Sequence, residues 1–404
     1  MTGPSLSLAD VQSARELIAD VVRQTPVTGL RPLTELCGGP VWLKCENLQR
    51  AGSFKIRGGY TRLARLSDAE KKQGVVAASA GNHAQGVALA AQMLGIDATV
   101  FMPVGATLAK VAATRGYGAD VRFHGQTLAD SIEVAQAWSL ETGMPFIHPY
   151  DHKDICAGQG TVGLEILEQV PDVKTVVVCT GGGGLLAGIA TAIKGLAPGV
   201  RVIGVQAAGA AAYPASLAAH HPVRLAKLRT MADGIAVPTP GVIPFAIIEE
   251  LVDEIRVVSE GSLSRAILLM LERAKLVVEP AGAAAVAAIW DDAAAFEPPV
   301  VAVLSGGNID PLVLLRVVRH GLAAADRYLS LRLRISDTPG SLADLLGLLG
   351  THGANVLDLE HLRTHPQLNV DEVEVAIQLE SRGASHTVDV LAILADAGYE
   401  VLEP

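Results

Sequence analysis

Between residues 75 and 150, short apolar runs alternate with longer amphipathic ones: VVAASA with NHAQGVALAAQML, ATVFMP with TLAKVAATRG, DVRFHG with LADSIEVAQAWSLE, then a closing MPFIHP. Strands alternating with helices of this length need right-handed crossovers and a parallel sheet covered on both faces. The fold class is therefore expected to be α/β. A second series starts near 158, with TVVVCT, GLLAGIATAIKGL, RVIGVQ, SLSRAILLMLERAK and VVAVLSGG before a helix from Asp310. Together they predict two parallel-sheet lobes of one body. Ligands of such sheets sit beyond strand carboxyl ends, where loops meet helix N-termini.

Beyond about 328 the rhythm changes to YLSLRLRIS, a Pro-Gly turn, SLADLLGLLGTHG, ANVLDLEHLR, EVEVAIQLES, SHTVDVLAILADAG and YEVLEP, which reads βαββαβ, a ferredoxin-like unit. The expected division is a body over 1–325, with a smaller lobe at roughly 48–148 inserted in the larger, and a small domain over 328–404. Half of the residues are apolar but only 4% aromatic, so the core is expected to be Ala, Val, Leu and Ile. A formal charge of −10 without a basic stripe argues against a nucleic-acid partner. Cys37, Cys45, Cys156 and Cys179 show neither CxxC spacing nor a secreted-domain framework and fit a reducing cytoplasm. The acid-bearing start MTGPSLSLADVQ lacks the pattern of a signal peptide. Residues 175–193 are uncharged and nearly bilayer length, but glycines 181–184 interrupt them. They read as strand, loop and helix rather than a membrane span.

Candidate chemistry lies in short segments. Gly52-Ser53-Phe54-Lys55-Ile56-Arg57-Gly58-Gly59 sets one lysine among small residues ahead of a helix expected near Arg57. A lysine in a tight site can form a Schiff base with an aldehyde; a solvated surface lysine is the plain alternative. Ser79-Ala80-Gly81-Asn82-His83 follows a strand and opens a helix, where free N–H groups suit a carboxylate and the Asn82 amide can reach a polar oxygen. A simple N-cap would use the same residues. Gly181, Gly182, Gly183 and Gly184 with Leu185 allow backbone to wrap a phosphate. They lack both the P-loop ending and the GxGxxG spacing, so a phosphate monoester is the better fit. Ser305-Gly306-Gly307-Asn308 and Glu279-Pro280-Ala281-Gly282 are either turns or the places where a sheet presents a ligand.

In this order, and with the approach segment KCENLQ at 44–49, these motifs resemble fold-type II pyridoxal-phosphate enzymes, tryptophan synthase β-like in fold, and specifically the threonine dehydratases (threonine ammonia-lyases). The resemblance covers nearly the whole chain. It implies pyridoxal 5'-phosphate held by Lys55, with Phe54 beside it, Asn82 on the ring hydroxyl oxygen, the four glycines and Leu185 on the phosphate, and Ser305 facing the pyridine nitrogen. Ser79, Ala80, Gly81, Asn82 and His83 would hold the substrate carboxylate, and Lys55 would act as catalytic base. The implied reaction is loss of water and ammonia from L-threonine, giving 2-oxobutyrate, with L-serine as second substrate, giving pyruvate. Serine racemase is similar in most motifs but carries a serine where Ala80 stands, so racemisation is expected to be weak. Threonine synthase and tryptophan synthase β-chains are more distant, and an amino-acid sensor with a decayed catalytic body is the non-enzymatic alternative.

Some relatives hold a cation through an acidic residue where this chain has Gln206 and alanines, so no metal is expected. The C-terminal unit, with Asp337-Thr338-Pro339-Gly340-Ser341-Leu342 and Gly353-Ala354-Asn355-Val356, resembles an ACT regulatory domain. That implies allosteric control, as in isoleucine biosynthesis, by an amino-acid or nucleotide effector at Asp337, Gly340 and a facing Asn355. A plain dimerisation module is the alternative. Exposed sheet edges invite pairing, so a homodimer or homotetramer is expected.

Overall fold

The computed structural model describes residues 6–363 and 368–402; the last two residues of the closing YEVLEP run lie outside them. The chain divides into two compact units, Met1–Leu314 and Leu315–Pro404, inside the helix Pro311–Ala324.

In the first unit the strands are β1 (Val27–Gly29), β2 (Val41–Lys44), β3 (Val75–Ala78), β4 (Ala98–Met102), β5 (Asp120–Phe123), β6 (Thr175–Cys179), β7 (Arg201–Ala207), β8 (Glu254–Val258) and β9 (Val300–Val303). Six of them form a sheet of order β1-β2-β9-β6-β7-β8, parallel except for the edge pair β1–β2. The other three, β3-β4-β5, form a separate parallel sheet that the chain inserts between β2 and β6. Successive side chains point to opposite faces, and in β3 and β4 all of them are buried, whereas the edge strand β5 is partly exposed. Val75 and Ala77 pack with Ile56, Leu63 and Val87, whereas Val76 and Ala78 pack with Phe101 and Ala135. The expected strand MPFIHP is reduced to one bridge, Val76 to Phe146, because Pro145 and Pro149 cannot donate to a ladder. The edge strand β8 escapes the sequence reading because Glu254 and Arg256 interrupt its apolar pattern.

The second unit contains β10 (Tyr328–Ser336), the helix Ser341–Thr351, β11 (Asn355–Leu362), β12 (Glu372–Glu380), the helix Ala384–Asp396 and β13 (Glu400–Leu402). Its antiparallel sheet has the order β11-β12-β10-β13, the ferredoxin-like arrangement that βαββαβ predicts. Leu333, Val375 and Ile377 meet Leu345, Leu349 and Leu394 in its core. No helix among the described residues is long and apolar enough to cross a membrane.

A buried charge cluster joins elements of the first unit. Arg57 donates from Nε and Nη2 to Glu46 at 2.8 Å, and from Nη1 and Nη2 to Glu165 at 2.6 and 3.0 Å. Lys44 donates to Glu165 and to the Thr25 carbonyl. Removing one member leaves an uncompensated buried charge, which costs about 3 to 5 kcal/mol. Arg57→Ala is therefore expected to lower the unfolding free energy by about that amount in denaturant titration. Loss of the exposed Arg31–Glu35 pair is expected to leave the midpoint unmoved.

Candidate active site

Lys55 opens the helix Lys55–Ala64, two residues before the start expected near Arg57, because Phe54 is already in the helical region and its carbonyl accepts from Arg57 N–H at 3.0 Å. The helix crosses its neighbours at glycines. A Cβ on Gly86 would lie 2.9 Å from the Lys55 carbonyl carbon, and one on Gly158 would lie 2.5 Å from the Arg57 oxygen. Helices with side chains there would be forced apart, and Lys55 would move with them.

The carboxyl ends of β3, β6 and β9 surround a cavity of about 340 Å³. Every residue expected to hold cofactor or substrate lines it: Phe54, Lys55, Ser79, Ala80, Gly81, Asn82, His83, glycines 181–184, Leu185 and Ser305. The Lys55 amine donates to the Pro149 carbonyl at 2.9 Å and lies 5.1 Å from the centre of the Phe54 ring. Burial pushes it down to about 8, with Cys179, Glu279 and Cys156 opposing the shift. A minor but usable uncharged fraction therefore exists near neutral pH, as a nucleophilic amine requires.

The Ser79–His83 loop folds on itself through Gly81 N–H, which donates to the Ser79 hydroxyl at 3.1 Å. The first turn of the helix Asn82–Leu94 follows, with amides that have no partner within the helix. His83 contributes no positive charge. Burial, and Lys55 beside it, push its imidazole down to about 3, and Nε2 is committed to the Ile147 carbonyl at 2.8 Å. Ser305 is buried, and its hydroxyl reaches the Cys179 thiol.

The glycine loop runs from β6 into the helix Gly184–Leu196. Packing alone already favours glycine at three of its positions, most strongly at Gly182 and Gly183. A Cβ on Gly182 would enter the Tyr150 ring at 2.4 Å, and one on Gly184 would approach the Tyr150 carbonyl oxygen at 3.0 Å. Gly183 has φ +99° and a Cβ there would lie 2.0 Å from the Tyr213 hydroxyl. What results is backbone without side chains at a helix N-terminus, a geometry that suits an anion. One cavity thus presents a buried amine and a bare-backbone helix N-terminus.

The sequence reading missed several residues here. Glu279 and Asn308 lie in segments expected to be either turns or ligand-presenting ends, without a role for either side chain, yet both bind the Asn82 amide. Burial and Asp233 push the Glu279 carboxyl up to about 7. Pro149 acts through its carbonyl, which no side-chain pattern announces. Lys110 pairs with Asp233 at the cavity wall, although the two are far apart in sequence.

In the second unit, the expected effector residues are not brought together within one chain. Asp337 pairs with Arg363, just past the end of β11, while Asn355 begins that strand and donates to Glu380. Seven strand steps separate the two ends, roughly 23 Å.

The family model for pyridoxal-phosphate dependent enzymes matches residues 18–306. An L-threonine ammonia-lyase of Thermotoga maritima is 43% identical over 396 residues, covering 98% of this chain and 99% of that protein. The processed form of threonine deaminase isoform 2 from Solanum lycopersicum superposes with a TM-score of 0.74 at 37% identity, over 78% of this chain and 86% of that one. Maize serine racemase superposes with a TM-score of 0.74 at 34% identity, over 79% of this chain and 98% of that one.

The lowered Lys55 value carries a pH dependence. Its uncharged form grows as pH rises through about 8, so the rate of aldehyde capture by the cofactor-free chain should rise through that pH and level off above it. Stopped-flow absorbance measures the rate, and Lys55→Ala should abolish it; a midpoint near 10 would contradict the buried amine.

Proposed function

This chain belongs to the family of pyridoxal-phosphate-dependent enzymes, and we propose that within it the protein is an L-threonine ammonia-lyase. It would convert L-threonine to 2-oxobutyrate and ammonia, with L-serine as second substrate, giving pyruvate. The observation that carries this reading is the pairing, in one cavity, of the buried Lys55 amine with the glycine loop at a helix N-terminus.

The residues fit the cofactor. Lys55 would hold its aldehyde carbon, amides of glycines 181–184 and Leu185 its phosphate, Asn82 its ring hydroxyl oxygen and Ser305 its ring nitrogen, with Phe54 alongside. When bound, the cofactor supplies an electron sink for the pair left at the substrate Cα. The amides of the Ser79–His83 loop, with the helix behind them, bind the α-carboxylate and fix which Cα bond faces Lys55. Lys55 Nζ, held toward the cavity by Pro149, takes the Cα proton. The neutral Ser305 hydroxyl does not enforce a positive charge on the ring nitrogen, which favours departure of the β-hydroxyl over return of the proton. Ala80 has no proton to deliver to the other face of Cα, which supports elimination over racemisation.

The second unit is read as an ACT-type regulatory domain in a homo-oligomer, with an amino acid or nucleotide as effector. Asp337 and Gly340 remain its candidate contacts, and Asn355 would join them only from another copy. The test is 2-oxoacid formation from L-threonine and L-serine, with and without isoleucine, valine or AMP. Ketoacid from threonine is expected, and none from Lys55→Ala. Cofactor binding without ketoacid from either substrate would overturn the reading.

A further inference from the structure

The Asn82 carboxamide sits in a chain of hydrogen bonds whose direction is set by a group that cannot donate. At one end, the Ala51 backbone carbonyl can only accept, and Asn308 Nδ2 donates to it at 2.7 Å. The same Nδ2 donates to Asn82 Oδ1 at 2.9 Å, so the Asn82 oxygen is turned toward Asn308. At the other end, Asn82 Nδ2 donates to Glu279 Oε1 at 2.6 Å. Glu279 is 3% exposed and lines the cavity. A carboxamide nitrogen has two hydrogens. One is committed to Glu279, and the second is the group's remaining donor, on a side chain that lines the cavity.

We propose that Glu279 and Asn308 are positioning residues that lock the Asn82 carboxamide in one of its two flips, so that it offers the cofactor ring an N–H and not its oxygen. This deepens the reading above and rests on it. The ring hydroxyl oxygen is electron-rich and needs a donor; the opposite flip would set oxygen against oxygen. Either lock alone biases the flip, and the two agree although Glu279 and Asn308 come from different segments, one before the helix Pro280–Asp291 and one after β9. Neither residue touches the ring in this scheme; each acts through Asn82.

The lock makes an ordering of variants that loss of packing would not produce. Asn308→Ala removes one lock and leaves Glu279, so cofactor affinity should fall about threefold to tenfold, the worth of one neutral hydrogen bond. Asn308→Asp, close in size, replaces the donor with an acceptor. In the flip that suits the introduced carboxylate, the Asn82 nitrogen faces position 308 and its oxygen faces both Glu279 and the ring, so neither flip satisfies all three partners and affinity should fall further than in Asn308→Ala. Glu279→Gln keeps an acceptor oxygen and should bind within about threefold of the parent, whereas Glu279→Ala should resemble Asn308→Ala. The experiment titrates each cofactor-free variant with pyridoxal phosphate by equilibrium absorbance, with circular dichroism to verify folding. The position of the bound absorbance band is the second readout, expected to shift most in Asn308→Asp. Asn308→Asp binding as well as Asn308→Ala, or an unshifted band in both, overturns the lock. If the Asn308 variants do not fold, equal affinity and equal bands in Glu279→Gln, Glu279→Ala and the parent overturn it. Failure of the parent itself to bind would instead be a failure of the cofactor reading.

Discussion

Two positive and two negative side chains sealed from water govern the arrangement of the first unit. Lys44 ends β2, Glu46 follows it, Arg57 lies in the first turns of the helix Lys55–Ala64, and Glu165 belongs to the helix Lys153–Gln169. Their charges cancel, and each hydrogen bond removes part of a desolvation penalty that would be prohibitive for any member alone. The guanidinium is not interchangeable with an ammonium here, because its planar fork serves two carboxylates at once. Since Arg57 is two residues after Lys55, the cluster that anchors the helix also sets where the amine stands.

A fixed anchor would be of little use if the helices around it stood at ordinary separations. The RGG and AGQGTVG segments let three helices approach through bare backbone. A Cβ at Gly188 would lie 2.2 Å from the Cys156 oxygen, and one at Gly158 would lie 2.6 Å from the Gly58 Cα. Glycine inside a helix sacrifices about 0.5 to 1 kcal/mol relative to alanine, so such positions persist where close approach returns more through packing. The approach brings the amine, the carboxylate loop and the glycine loop to one cavity from segments far apart in the chain.

Much of this was legible in the sequence, for physical reasons that differ by element. The parallel sheets were readable because period-two burial on both faces writes continuous apolar runs, as in VVAA and TVVVC. The second unit was readable because its alternation and turns define βαββαβ. The residues expected to hold cofactor or substrate stand out through their setting between strand and helix and through the family resemblance, and all of them line the cavity. What was not legible depends on three-dimensional partners. The Glu279 segment reads either as a turn or as a ligand-presenting end, and nothing local shows that its carboxyl meets Asn82, 197 residues away. Asn355 was expected to face Asp337, but strand length puts them at opposite ends of β11. In sequence the four glycines suggest only backbone free to wrap a phosphate; Tyr150 and Tyr213 supply a packing reason for Gly182, Gly183 and Gly184 as well.

That double duty of the glycine loop bears on how the cavity recognises an anion. Among its described lining residues the only cationic side chains are Lys55 and Lys110; the first is lowered by burial and the second is already paired with Asp233. No arginine is among them, and His83 is neutral. In the function proposed above, recognition of the cofactor phosphate would therefore fall to backbone amides at the start of the helix Gly184–Leu196, whose partial charges cannot be rearranged by a rotamer. Such a site works only if the loop holds one conformation, and the Tyr213 hydroxyl and the Gly241 N–H, both donating to the Gly182 carbonyl, hold it, while Tyr150 and Tyr213 leave little space for a Cβ. The packing that dictates glycine and the chemistry that needs bare amides are thus one constraint, and a side chain at Gly183 would damage both together.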